Sequence, residues 1–265
     1  MKILYGSILG DIAGSRFEFT KPQGFQAKTV KLFEDDCFFT DDTVMSIATK
    51  YAVCKPADYA KAYGTFGRKY PGAGYGTLFQ QWLKTRSSRP YNSFGNGSAM
   101  RVAYIGEHFR TLERVQEEAQ KSAMCTHNHP EGVKGAVVIA GSVFLAKNGA
   151  SKTEIKKYVE SFGYSLRKHL FLLRKFSKFD ITCQGTIPVA MTCFLESDSW
   201  EECIRNVLSI TCDSDTVACI AGGVAEAYFG TTGYNEKQLL EKYLIRKSDI
   251  GTADTFLYDW ATLET

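Results

Sequence analysis

An all-α fold is what the sequence predicts, on three observations. Apolar residues recur along most of the chain at helical spacing of three and four. Two capping boxes mark helix starts, one at Ser151 with Glu154 and one at Ser199 with Glu202. Runs of strict alternation, the signature of a half-buried strand, are scarce. No Ser/Pro/Gly-rich linker divides the 265 residues, so one domain over 1–265 is expected.

The elements follow in order. Residues 3–17 read as a helix carrying Gly6, Gly10 and Gly14, about one per turn, a stripe that lets another backbone approach closely. Helices are expected at 42–53, 57–69 and 77–85, the last two joined by the turn-rich YPGAGYG. A helix over 98–108 follows the loop SFGNG, and periodic segments follow at 112–124 and 131–147, with Pro130 suited to a first turn. Ser151 opens a helix through Ile155, Tyr158, Val159 and Phe162; Ser199 opens one through Cys203, Ile204, Val207 and Leu208. Between them, 165–179 reads as a basic amphipathic helix with Leu166, Leu170 and Leu173 inward. Helices at 216–229 and 235–244 complete the set.

Composition is that of a soluble globular protein, 44% hydrophobic and 23% charged. Lys+Arg 32 against Asp+Glu 29 is too even for a field-driven nucleic-acid binder, although the basic face of 165–179 suits a nucleic-acid or membrane surface as well as solvent. No apolar stretch approaches the roughly 20 residues of a membrane span, and the glycine-broken start does not read as a signal peptide. The eight cysteines form no C-x-x-C pair, which argues against zinc ribbons and redox motifs and for reduced thiols in a cytoplasmic protein.

Chemistry concentrates in acids. FTDDTVMSIA, residues 39–48, sets Thr40, Asp41 and Asp42 at the mouth of an apolar helix, and CDSDTVACIA, residues 212–221, echoes it with Asp213, Asp215 and Thr216. A helix N-cap needs one side-chain oxygen and leaves a second adjacent Asp unexplained. Two such helix mouths facing each other would crowd carboxylates that only a cation makes tolerable, and these hard oxygen donors suit Mg²⁺, Mn²⁺ or Ca²⁺. Asp213 and Asp215, alternating in an extended loop, would reach one centre while Ser214 faces away, and Asp215 could bridge two ions. Asp11 and Glu18 stand two turns apart on one helical face. SFGNGSAMR offers either an Asn-Gly turn capped by Ser98 or a backbone cradle for phosphate. In CTHNHPEG, His127 or His129 could contact phosphate or ribose, and Tyr75 is either a stacking platform or part of a helix connection.

Taken in order, GDIAGSRFE, FTDDT, GAGYGTLFQQW, GNGSAMRVAYIG, THNHPEG and DSDTVACIAGGVAEAYFG resemble the ADP-ribosylglycohydrolase family, of the dinitrogenase reductase-activating glycohydrolase-like kind. The resemblance implies a multi-helix orthogonal bundle holding two Mg²⁺ or Mn²⁺, and hydrolysis of the N- or O-glycosidic bond between ADP-ribose and an acceptor. It implies Thr40, Asp41 and Asp42 as ligands of one metal and Asp213, Asp215 and Thr216 of the other, with Asp215 bridging. It sets Glu18 near the second metal, Gly95, Asn96, Gly97 and Ser98 against the diphosphate or distal ribose, and His127 near the phosphates. Asp41, Asp213 and Glu18 are the candidates for moving the proton. Two departures stand out: Ile210, Thr211 and Cys212 replace the usual glycines, and Tyr104 a usual proline. The rival readings are an ADP-ribose-binding module without turnover and another Mg²⁺-dependent nucleotide or phosphoester hydrolase. Acceptor and oligomeric state are not set by the sequence.

Overall fold

The structure is a computed structural model that describes residues 5–247 and 253–264. Fourteen α-helices run in chain order among them: α1 Tyr5–Ser15, α2 Asp41–Cys54, α3 Tyr59–Lys69, α4 Thr77–Thr85, α5 Ala103–His108, α6 Leu112–Met124 and α7 Pro130–Lys147, then α8 Lys152–Ser161, α9 Leu170–Phe176, α10 Cys183–Leu195, α11 Trp200–Leu208, α12 Ser214–Phe229, α13 Glu236–Leu244 and α14 Phe256–Thr262. The two strands, Arg246–Lys247 and Ala253–Asp254, form one short hairpin ladder, so the fold is all-α. No described helix is long and apolar enough to cross a membrane, and all eight cysteines are unpaired.

The centre of the molecule is the α1–α12 pair. All eleven residues of α1 are buried. Its glycine stripe explains how: a Cβ at Gly6 would lie 2.5 Å from the Gly222 carbonyl, at Gly10 2.2 Å from that of Ala218, and at Gly14 2.4 Å from that of Ser214. The partners descend as the glycines ascend, so the helices are antiparallel, and the end of α1 meets the start of α12. Glu226 Oε2 accepts from the Gly6 N–H at 2.6 Å, satisfying a donor in the first turn of α1.

Several expectations are corrected. The first helix ends at Ser15, so Glu18 lies in the turn beyond it and shares no helical face with Asp11; residues 3 and 4 lie outside the described residues. The expected 98–108 helix is a 3₁₀ turn at Asn96–Ser98 followed by α5. Only Leu170–Phe176 of the 165–179 segment is helical; Leu166 is buried from the preceding coil. Asp213 and Asp215 are not in an extended loop, since Asp213 is the N-cap and Asp215 is in the first turn of α12.

Candidate metal centre and cleft

The antiparallel α1–α12 pair brings the two acid patches together. Asp11, midway along α1, points at the start of α2. Its Oδ1 accepts from Thr40 Oγ1 at 2.7 Å, and its Oδ2 accepts from Thr40 N at 2.9 Å, Thr43 N at 3.1 Å and Thr43 Oγ1 at 2.5 Å. This one carboxylate caps the first turn of α2 from another helix and fixes where Asp41 and Asp42 point. Asp42 Oδ2 accepts from Thr216 Oγ1 of α12 at 3.1 Å. Ser214 turns away, donating to the Gly14 carbonyl at 2.9 Å. Asp213 is held by Asn96, whose Nδ2 donates to its Oδ2 at 2.7 Å and to Thr186 Oγ1 at 3.1 Å.

Two triads of carboxylates result, Asp11–Asp42–Asp215 and Glu18–Asp213–Asp215, each with its oxygens within 4.8 Å of one another. Asp215 belongs to both. Asp41 stands beside them, close enough that Asp11, Asp213 and Glu18 all disfavour its charge.

Burial and mutual repulsion dominate the electrostatics of the cluster. Burial, then the neighbouring carboxylates Asp11, Asp213 and Glu18, push Asp41 up to about 8. Burial raises Asp11 to about 6 against the hydrogen bonds that lower it. Glu18 rises to about 7 through burial, then the charges of Asp213 and Asp11. Asp42 and Asp215 are raised strongly, and Asp213 is raised, again with burial first. Asp42 Oδ1 is buried with no hydrogen-bond partner. Crowded carboxylates with an orphaned oxygen and hydroxyls from Thr40 and Thr216 suit a hard divalent cation. Two sites sharing Asp215 fit these residues.

Glu18, Asp41, Asp213 and Asp215 line a cleft of about 680 Å³, a size suited to a nucleotide-sized ligand. Its wall includes Gly95, Asn96, Gly97 and His127. His127 is 6% exposed and shares a hydrogen bond with Thr126 through Nδ1 at 2.8 Å; burial, then Arg101, hold it well below the usual histidine range, so it is neutral. A Cβ at Gly97 would come within 3.2 Å of His127 Nε2, so the glycine leaves room for the imidazole at the wall.

Two expected site residues lie elsewhere. Ser98 is fully buried and donates to the Gly132 carbonyl at 2.7 Å, tying the loop to α7 instead of facing the cleft. Tyr75 is 2% exposed and packs on Phe79 with centroids 5.2 Å apart, while Gly74 and Gly76 line the cleft; it offers no stacking face. Two further residues were given no site role from sequence. Asp11 gave only a weak helical-face signal, because its role depends on α2 lying against it. Arg101, 1% exposed over the Tyr63 ring, lines the cleft and donates to Ser122 O at 2.9 Å and Thr126 Oγ1 at 2.8 Å. It sits in the fourth quoted motif, and its cation beside the glycine loop was the available signal.

Residues 1–254 match the family model for ADP-ribosylglycohydrolase. The chain is 26% identical to the ADP-ribosylhydrolase ARH3 of Homo sapiens over 332 aligned positions, covering 92% of each protein. It is 24% identical to the ADP-ribosylarginine hydrolase Tri1 of Pseudomonas putida (strain GB-1), covering 87% of this chain and 70% of that protein. A solved structure titled ADP-ribosylglycohydrolase-related protein complex superposes with a TM-score of 0.71 at 19% identity over 89% of each chain, a likeness of fold.

Proposed function

The chain belongs to the ADP-ribosylglycohydrolase family, and from that premise we propose that it hydrolyses the glycosidic bond between ADP-ribose and an acceptor with the help of two divalent cations, Mg²⁺ or Mn²⁺. The observation that carries the reading is the pair of carboxylate triads sharing Asp215, beside a cleft lined by Glu18, Asp41, Asp213 and Asp215. Asp41, Asp42 and Thr40 would hold one ion, Asp213 and Thr216 the other, with Asp215 between them. Asp11 is a positioning residue: its two oxygens already take four donors, so its work is to aim the Thr40–Thr43 turn.

Bound there, the ions would supply Lewis-acid polarisation of the ribose hydroxyls and a water of lowered pKa. The chain's own groups do the rest. Gly95, Asn96 and Gly97 with His127 and Arg101 form the wall assigned to the diphosphate, where a buried guanidinium offsets negative charge. A neutral His127 can donate or accept one hydrogen bond without competing for the cations. Water adds to the anomeric carbon as the bond to the acceptor breaks, and the departing atom takes a proton. Asp213 is buried, whereas Asp41 and Glu18 both keep part of their surface in solvent; with Asp41 given to a cation, Glu18 is the acid left to exchange its proton with solvent. We assign the proton transfer to it.

The test is release of free ADP-ribose from ADP-ribosyl-arginine and ADP-ribosyl-serine, with Mg²⁺ or Mn²⁺ and with chelator. Metal-dependent release that is lost in Asp215→Ala supports the reading. Full turnover by a metal-free D215A protein refutes it.

A further inference from the structure

Two cavities meet at one pair of rings. Phe19, in the turn beyond α1, and Phe179, just ahead of α10, stand with centroids 6.1 Å apart. They are 79% and 46% exposed. Together with Glu18 they line both the main cleft and a second cavity of about 390 Å³, whose other walls are Phe17, Thr20, Lys21, Thr211 and Cys212. The second cavity contains no residue of the Gly95–Ser98 loop and not His127. It leads off the Glu18 end of the acid centre.

We propose that this second cavity is the acceptor subsite, and that it takes a planar heteroaromatic acceptor, a nucleobase-type ring stacked on Phe19 and Phe179. The inference rests on the glycohydrolase reading of the main cleft and names the substrate class for it. Three lines of reasoning lead there.

The first is position. With diphosphate along the glycine loop and the ribose over the acids, the group beyond the scissile bond must lie away from that loop, and the cavity reached past Glu18 does.

The second is exposed aromatic surface. A lone exposed Phe needs no explanation. Here Phe19, Phe38, Leu78, Phe179 and Ile181, five of the eleven large hydrophobics left exposed among the described residues, line the main cleft, and such a concentration marks a binding surface; Phe19 and Phe179 carry it into the second cavity. Phenyl faces in water are stacking platforms for any base.

The third is the polar complement. Lys21 Nζ donates to the carbonyls of Leu208 at 2.7 Å and Ile210 at 2.6 Å. An ammonium has three N–H donors, so one is left. With the Thr20 and Thr211 hydroxyls it suits the carbonyl and ring-nitrogen edge of a base. A fixed ammonium in the wall opposes a guanidinium, and three phenyl rings offer little to the polar main chain around a serine. Thr211 and Cys212 line this wall, and the Ile210 carbonyl anchors Lys21 beside them.

Thymidine is the binding probe, followed through the ring resonances of labelled phenylalanine. Saturable shifts of Phe19 and Phe179 are expected, weakened roughly tenfold in Phe179→Ala, as loss of one stacking face implies. In turnover, the ratio of kcat/KM for ADP-ribosyl-thymidine to that for ADP-ribosyl-serine should fall roughly tenfold in F19A and in F179A. Both rings are exposed and neither belongs to the buried core, so folding is not at stake. Release of ADP-ribose from arginine or serine conjugates with no saturable thymidine binding, or an unchanged ratio in both variants, overturns the subsite and leaves the glycohydrolase reading standing. Thymidine binding at the two rings with no ADP-ribose released from any conjugate supports the ring preference and overturns the glycohydrolase reading.

Discussion

Neutralising Asp42 should stabilise the metal-free protein while abolishing its response to metal. Asp42 is 1% exposed, and its carboxylate lies within 4.8 Å of those of Asp11 and Asp215. At an effective dielectric of about 20, two unit charges that far apart repel by roughly 3.5 kcal/mol. Asp42→Asn removes two such pairs at most, and protons retained by the cluster reduce the gain to about 2–4 kcal/mol. For a chain of this size that is roughly 5–15 °C in melting temperature. The sign with pH follows from the raised acids. Their unfolded forms ionise near pH 4, whereas Asp11 holds its proton to about 6, Glu18 to about 7 and Asp41 to about 8. Between those limits the unfolded state binds fewer protons, so the metal-free protein loses stability as pH rises from about 4 to about 8. D42N should flatten part of that fall. The assay is thermal unfolding at several pH values, with chelator and with excess Mn²⁺. Wild type should gain stability from Mn²⁺, most of all near pH 8, and D42N should gain little. A D42N protein less stable than wild type in chelator at pH 8, with an undiminished Mn²⁺ response, would refute the reasoning.

Other outcomes follow from the same contacts. Asp11→Asn should weaken Mn²⁺ binding about 10–100-fold with the fold intact, as loss of a group that orients ligands does; titration calorimetry reads it. Gly10→Ala sets a methyl 2.2 Å from the Ala218 carbonyl and should cost about 3 kcal/mol or more in denaturant unfolding, because backbone cannot yield as a side chain does. Lys50, fully buried against the carbonyls of Ala261 and Leu263, is held down to about 8, first by burial. The unfolded chain therefore binds the extra proton between pH 8 and 10.5, stability rises with pH across that window, and Lys50→Met should remove the rise.

What could be read from sequence was what is local. The glycine stripe of α1 announced a close helix contact, and the capping residues Ser151 and Ser199 begin α8 and α11 as expected. The partner of the stripe was not local, and it decides the site, since only the antiparallel α1–α12 crossing sets Asp215 beside Asp42. Helix α10 escaped because nearly every residue from Thr186 to Phe194 is buried, which erases the amphipathic period, and Pro188 lies inside it. The seven-residue α14 is too short to show a period. Tyr75 and Ser98 were read by residue type in loops, where the direction of a side chain is set by neighbours far along the chain: Phe79 packs against one, and the Gly132 carbonyl takes the hydroxyl of the other.

The most direct measurement is calorimetric titration of Mn²⁺ into chelator-stripped protein, read beside ADP-ribose release in the same samples. Two ions per chain are expected, with release appearing as the sites fill, and both lost in D215A. Release of ADP-ribose from protein that takes up no metal would contradict a cation-neutralised pocket of carboxylates as the working centre.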